Sequence, residues 1–131
     1  MQWDFEHLPC HNCLRIEVKG AFTLADQALL FEELAALEEF PAGLHLLFDN
    51  RLLVMKDVNS EVIRRSVQIM QSFSRRNSSI RIAGLVNEGI NFGLGRQFET
   101  FTEIEGEGDF RIFKDEKLAL QWLCSSAADE S

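Results

Sequence analysis

The sequence has no tyrosine, only three cysteines, a shortage of positive charge and no long apolar run. No apolar stretch approaches the roughly 20 residues that a membrane-crossing helix needs, so no integral membrane segment is expected. The opening residues, MQWDFEHLP, lack the basic and apolar regions of a secretory signal, and the expected setting is the cytoplasm. The cysteines are Cys10, Cys13 and Cys124. An odd number without an export signal reads as reduced thiols, not as a disulfide framework. His7, Cys10, His11 and Cys13 are all metal-binding residue types, but zinc sites usually draw on two separated pairs, and no second pair exists elsewhere. No metal and no cofactor is therefore expected. Cys10 and Cys13 are a weak redox motif as well, because the pair does not open a helix that would lower a thiolate pKa. Basic residues number 13 against 21 acidic ones, a net charge of −8. That balance argues against general nucleic-acid binding, in which contacts to phosphate dominate affinity. No nucleophile, base and orienting group can be assembled, so the protein is expected not to be an enzyme. His45 falls inside an apolar run and reads as a packed or hydrogen-bonded side chain, not a base.

What is present suits one packed domain. The chain has 131 residues, of which 46% are hydrophobic, enough for a single core. Residues 3–8 and 13–19 read as two strands joined by a turn. In the second, Leu14, Ile16 and Val18 alternate with Arg15, Glu17 and Lys19, the period of a strand with one wet face. An antiparallel hairpin is predicted. Thr23 and Asp26 then resemble a capping box. Residues 24–40 repeat apolar side chains at helical spacing (Leu24, Ala28, Phe31, Leu34, Ala35), until Pro41 and Gly43 stop the helix. Residues 44–48 form an apolar run suited to a strand covered on both faces. A helix capped by Asn59 or Ser60 follows, to about Arg76, with Val62, Ile63, Val67, Ile69, Met70 and Phe73 inward. Residues 80–86 form another central strand. A third helix is predicted over 88–103 with Phe92, Phe98 and Phe101 inward, then a short strand at 110–113. Asp115 caps a final helix with Leu118, Ala119, Trp122 and Leu123 facing in. The order β-β-α-β-α-β-α-β-α predicts an α/β domain over residues 1–124, with a mixed, mostly parallel sheet of about five strands and an N-terminal antiparallel hairpin. Residues 125–131 form a polar tail.

The leading site candidate is the stretch from 44 to 65. An apolar strand ends in Asp49, a short loop follows, and a helix opens near Asn59, the position where open α/β sheets meet ligands. Asp49, Asp57, Asn59 and Ser60 gather there. A phosphate on Ser60 would lie near unpaired helix amides, or Asn59 or Ser60 simply caps the helix while Asp49 ties the loop down. Between Arg51 and Arg81 lie seven basic residues (Arg51, Lys56, Arg64, Arg65, Arg75, Arg76, Arg81) and two acidic ones (Asp57, Glu61), a net +5. The remainder carries −13. This is a basic helix face, either salt-bridged to acidic neighbours or offered to an acidic partner. A second candidate is Phe92, Gly93, Arg96 and Phe98. The glycines and Arg96 could cradle an anion, or allow close packing while Arg96 pairs with Glu99 or Glu103. Eleven phenylalanines without a tyrosine either fill the core or line an apolar cavity with few polar handles.

The strand-closing FDNR (48–51), RIAGLV (81–86), FGLGRQFE (92–99) and ALQWL (119–123) stand in an order that resembles STAS domains. More closely, the pattern is similar to the SpoIIAA-like branch of small stand-alone proteins, the fold of bacterial anti-sigma factor antagonists. The resemblance covers nearly the whole chain. It implies a regulatory, protein-binding module in which a partner kinase phosphorylates a serine at the start of the helix after the second long loop. That position falls on Asn59 here, with Ser60 one residue later and the usual Ser/Thr-Gly pair missing, which implies a degenerate phosphorylation site. The same branch is similar to CRAL-TRIO-type lipid carriers, and this implies, as an alternative, a carrier or sensor of a small apolar or lipid-like ligand. A solid core would favour the interaction module and a hollow one the carrier. The alternating strands 13–19 and 110–113 are candidate sheet edges through which two copies could pair as a homodimer.

Overall fold

The computed structural model describes residues 1–8, 12–37, 44–56, 58–76, 80–87, 90–105 and 109–124. Five strands and four helices follow in the order β1 (Gln2–Leu8), β2 (Cys13–Ala21), α1 (Leu24–Ala35), β3 (His45–Val54), α2 (Ser60–Arg76), β4 (Arg81–Leu85), α3 (Ile90–Glu105), β5 (Asp109–Phe113) and α4 (Glu116–Cys124). The fold is an α/β domain built on one mixed sheet. β1 pairs antiparallel with β2, and β2 to β5 are parallel.

The strand order is β1-β2-β3-β4-β5, and it never reverses. Crossovers of one hand that always add the next strand on the same side lay every connecting helix on the same face of the sheet. The two cores match that rule. The larger joins Leu14, Ile16 and Val18 of β2, Leu46 and Phe48 of β3 and Ile82 of β4 to Leu30, Phe31 and Leu34 of α1 and Met70 and Phe73 of α2. The smaller joins Cys13, Leu47, Ala83 and Leu85, from the opposite sides of the same strands, to Ala119 and Leu123 of α4. The sheet thus carries α1, α2 and α3 on one face and α4 on the other. β3 and β4 are covered on both sides, which is why their runs read as continuously apolar.

Two features of the prediction change. β2 is an interior strand between β1 and β3, so the edges are β1 and β5. Its alternation came from a face that α4 covers only in part, where Arg15 and Glu17 are half-buried and Lys19 is exposed, not from an edge. β3 runs on to Val54 instead of ending near Phe48, because residues past Asp49 continue to pair with β2 alone (Lys19 with Leu52, Gly20 with Leu53, Ala21 with Val54). This extension passes a register irregularity between Glu17 and Lys19, and Gly20 sits at φ 90°, a conformation that suits glycine and strains other residues. α1 ends at Ala35 with Ala36 as its C-cap, short of the predicted 40; Pro41, Gly43 and the tail lie outside the described residues. Leu37 is exposed, and so is Ala35, while Gln27 and Leu30 take the inward places on α1; on α4 Ala119 and Leu123 are buried, but Leu118, expected inward, is exposed because it lies off the face that meets the sheet.

Candidate functional site

Asp49 and Arg51 belong to β3, not to a loop. Asp49 is 5% exposed and points to the α4 side of the sheet. Its Oδ1 accepts from the Arg51 amide at 3.2 Å and from Arg51 Nε at 2.9 Å, and its Oδ2 accepts from Arg51 Nη2 at 2.9 Å and from Arg15 Nη2 of β2. Glu116, opening α4, takes both guanidiniums as well, from Arg15 at 3.1 Å and Arg51 at 3.3 Å. Burial pushes the Asp49 carboxyl pKa up, but the hydrogen bonds and charge of Arg51, with the charge of Arg15, outweigh it and hold the group below the ordinary aspartate value. Asp49–Arg51 raises the Arg51 pKa in return. Two arginines facing two carboxylates leave no net charge for a free anion, so the cluster ties β2, β3 and α4 together. Asn87 Nδ2 donates to Arg51 O at 2.9 Å and secures the β3 extension from the end of β4.

The start of α2 is settled by one residue. Asn59 Oδ1 accepts from the Val62 amide at 3.0 Å, as an N-cap does. Ser60 is the first helical residue, exposed, with its Oγ 3.5 Å from Gln97 Oε1 of α3. Arg64 and Arg65 are exposed on the outer side of α2, and Arg65 Nε pairs with Glu61 Oε1 at 3.2 Å. Asp57 lies outside the described residues. The inward series Ile63, Val67, Met70 and Phe73 is buried as expected.

The second candidate is rearranged. Phe92-Gly93-Leu94-Gly95-Arg96 lies within α3, as predicted, and helical phase separates its members. Leu94, Gly95 and Phe98 face the sheet, whereas Gly93 and Arg96 are exposed. Arg96 Nη1 pairs with Glu99 Oε1 at 3.0 Å, so it cradles no anion. Glu99 Oε2 also accepts from the Ile112 amide at 2.8 Å, which occupies a donor on the edge strand β5. The close packing expected of the glycines is real at Gly95, where an added Cβ would stand 2.8 Å from Ile112 Cδ1, and absent at Gly93, where nothing lies within 4 Å. The side chains of Phe92 and Phe101 lie outside the described residues. His45 is hydrogen-bonded, accepting at Nδ1 from the Arg81 amide at 2.8 Å. Of the cysteine–histidine group, Cys10 and His11 lie outside the described residues, His7 is exposed, and Cys13 is buried with its thiol pKa pushed up to about 12, chiefly by burial. Among the described residues, no three of His, Cys, Asp and Glu converge as a metal site, and no helix is long and apolar enough to cross a membrane.

The interior beneath α1, α2 and α3 is hollow. A cavity of about 100 Å³ lies between them and the sheet. Apolar side chains form nearly all its wall, from Val18, Leu30, Phe48, Met70 and Ile82 deep inside to Phe98 and Phe110, whose rings pack with centroids 4.7 Å apart. Its half-buried lining residues Phe22, Met55, Val58 and Val62 gather at the C-terminal edge of the parallel strands, where the three helices begin. No Lys, Arg, His, Asp or Glu side chain lines it among the described residues.

One polar side chain on this wall was missed from the sequence. Gln27 is 7% exposed and occupies the buried stripe of α1 with Leu30, Phe31 and Leu34. Its Nε2 donates to Ser66 O of α2 at 3.2 Å, but its Oε1 is buried with no hydrogen-bond partner among the described residues. An unmet buried acceptor costs about 1–3 kcal/mol. The signal was its spacing, three, four and seven residues before Leu30, Phe31 and Leu34.

No protein-family model matches the sequence, and no curated protein matches it. Among solved structures, the chain is similar to an uncharacterized protein of the DUF3478 family from Shewanella loihica PV-4. The two are 20% identical, with a TM-score of 0.60 over 94% of this chain and 93% of that one. That protein is described as having a SpoIIAA-like fold. At this identity the likeness concerns architecture, and with the sheet order and helix placement above it establishes that this chain has a SpoIIAA-like fold.

Proposed function

We propose that this protein is a non-enzymatic SpoIIAA-like binding module that takes up a small apolar molecule between its sheet and α1–α3. The observation that carries the reading is the cavity of about 100 Å³ walled by apolar side chains. Apolar cavities of about 150 Å³ stay dry and bind benzene or xenon, so this one suits a similarly small molecule or the end of a longer chain. Native mass spectrometry of the purified protein, and thermal unfolding in toluene or hexane, test the reading. A hydrocarbon present at 100 times its Kd is expected to raise Tm by about 5–10 °C. Val62→Phe, which places a ring at the half-buried end of the cavity, is expected to abolish that shift while leaving the protein folded. An absence of any adduct together with an unchanged Tm across the hydrocarbons sinks the proposal.

A second reading, regulatory docking of a protein partner, is favoured by the exposure of Arg64 and Arg65 on α2 beside Ser60. Recovery of a partner from cell extract is expected to fall with Arg64→Glu/Arg65→Glu. Equal recovery by the variant and the unaltered protein removes this reading.

A further inference from the structure

Resting on the cavity as a ligand site, we infer that Gln27 selects the occupant. The ligand carries a neutral hydroxyl that donates to Gln27 Oε1, while its hydrocarbon part fills the apolar space. Three observations meet here. Gln27 lines the cavity and is 93% buried, being 7% exposed. Its amide orientation is held by the bond from Nε2 to Ser66 O at 3.2 Å; reversing the amide would set oxygen against oxygen. Its Oε1, the one atom then left over, has no partner among the described residues.

The chemistry of the missing partner follows from the wall. Oε1 is an acceptor, so the ligand must donate. No titratable side chain lines the cavity among the described residues, so a charged ammonium or guanidinium would enter with nothing to offset its lost hydration. A carboxylate brings only acceptors, and would face Oε1 lone pair to lone pair. Fatty acids in their ionised form are therefore disfavoured, and alcohols and phenols of a few carbons are the class that fits. Ser66 and Asn50 also line the cavity, but among the described residues the buried side-chain acceptor left without a partner there is Gln27 Oε1.

Phenol and toluene differ by a hydroxyl against a methyl of similar size, so their titration, followed by two-dimensional amide NMR, isolates the group. The unaltered protein is expected to bind phenol at least as tightly as toluene, although toluene is the more hydrophobic. In Gln27→Leu and Gln27→Met the acceptor is gone and the volume nearly kept. Phenol is expected to weaken about tenfold in both, with toluene retained, and benzoate is expected not to bind any form. A phenol-to-toluene ratio that is the same in the unaltered protein and in either folded variant overturns the role of Gln27 and leaves only a trapped water at Oε1. Toluene binding then still upholds the cavity as a ligand site. If neither phenol nor toluene binds the unaltered protein, the cavity reading falls and this inference with it.

Discussion

At the scale of single residues, Asp49 shows how position outweighs residue type. A carboxylate 5% exposed would resist ionisation alone, yet Arg51 and Arg15 keep it charged. Its pKa in the folded chain is below the ordinary value, so its contribution to stability is complete above the unfolded value of about 3.9 and disappears as pH falls through the lower folded value. Asp49→Asn is expected to cost about 1–3 kcal/mol at pH 7 in urea unfolding, less than for a fully dry pair because Arg51 remains 39% exposed. The gap between the two proteins should close as the pH is lowered toward 2. A gap unchanged by acid would mean that the carboxylate does not act through its charge. Asp49 was singled out from the sequence as the end of an apolar run. Its partners were not, because Arg15 and Glu116 lie 34 and 67 residues away along the chain, and Arg15 reads there as an ordinary wet-face residue.

At the scale of elements, α3 shows helical phase deciding between two readings of one segment. The helix over 88–103 was legible despite two glycines near its start; of the two roles open to Gly93, Gly95 and Arg96, an anion cradle or close packing with an Arg96–Glu99 pair, the structure has the pair and packs Gly95 alone. Gly95→Ala is expected to destabilise the protein by about 1–3 kcal/mol, since the new methyl would stand 2.8 Å from Ile112 Cδ1 and 3.2 Å from its Cγ2. Gly93→Ala, on the exposed side with open space around it, is expected to stabilise by about 0.5–1 kcal/mol. Thermal unfolding of the two variants measures both, and equal shifts of one sign would contradict the assigned helical phase. α2 was legible almost residue by residue, from the Asn59 cap to Phe73, because its apolar stripe and its cap are local. β3 was read six residues short, because its extension depends on pairing with β2 and not on its own hydrophobic pattern.

At the scale of the whole molecule, the sheet order places three helices on one face and a single short helix on the other, and the two sides differ in kind. The α4 side is closed by Cys13, Leu47, Ala83, Ala119 and Leu123, with Phe113 and Trp122 packed against them, and by the arginine–carboxylate cluster. The opposite side holds the cavity. The proposed uptake belongs to this scale, since no single element contains the site: its wall takes residues from β2, β3, β4, β5 and all three helices on that face. Val62→Phe and the hydrocarbon titrations test a property of the assembly, and Gln27 gives it chemical selectivity.

The amino-acid sequence by itself determined the order of strands and helices, their caps, the apolar faces and the likeness to SpoIIAA-like proteins. Those signals are set by neighbours two, three or four residues apart, and they survive without knowledge of the rest of the chain. Tertiary structure alone decided which strands are edges, which residues meet Asp49, whether the phenylalanines leave a gap, and that Gln27 Oε1 is left without a partner. A cavity is the volume that distant side chains fail to fill, and an unmet acceptor is defined by everything packed around it. Neither is written in any local stretch, and both depend on how α1, α2 and α3 come to rest on one face of the sheet.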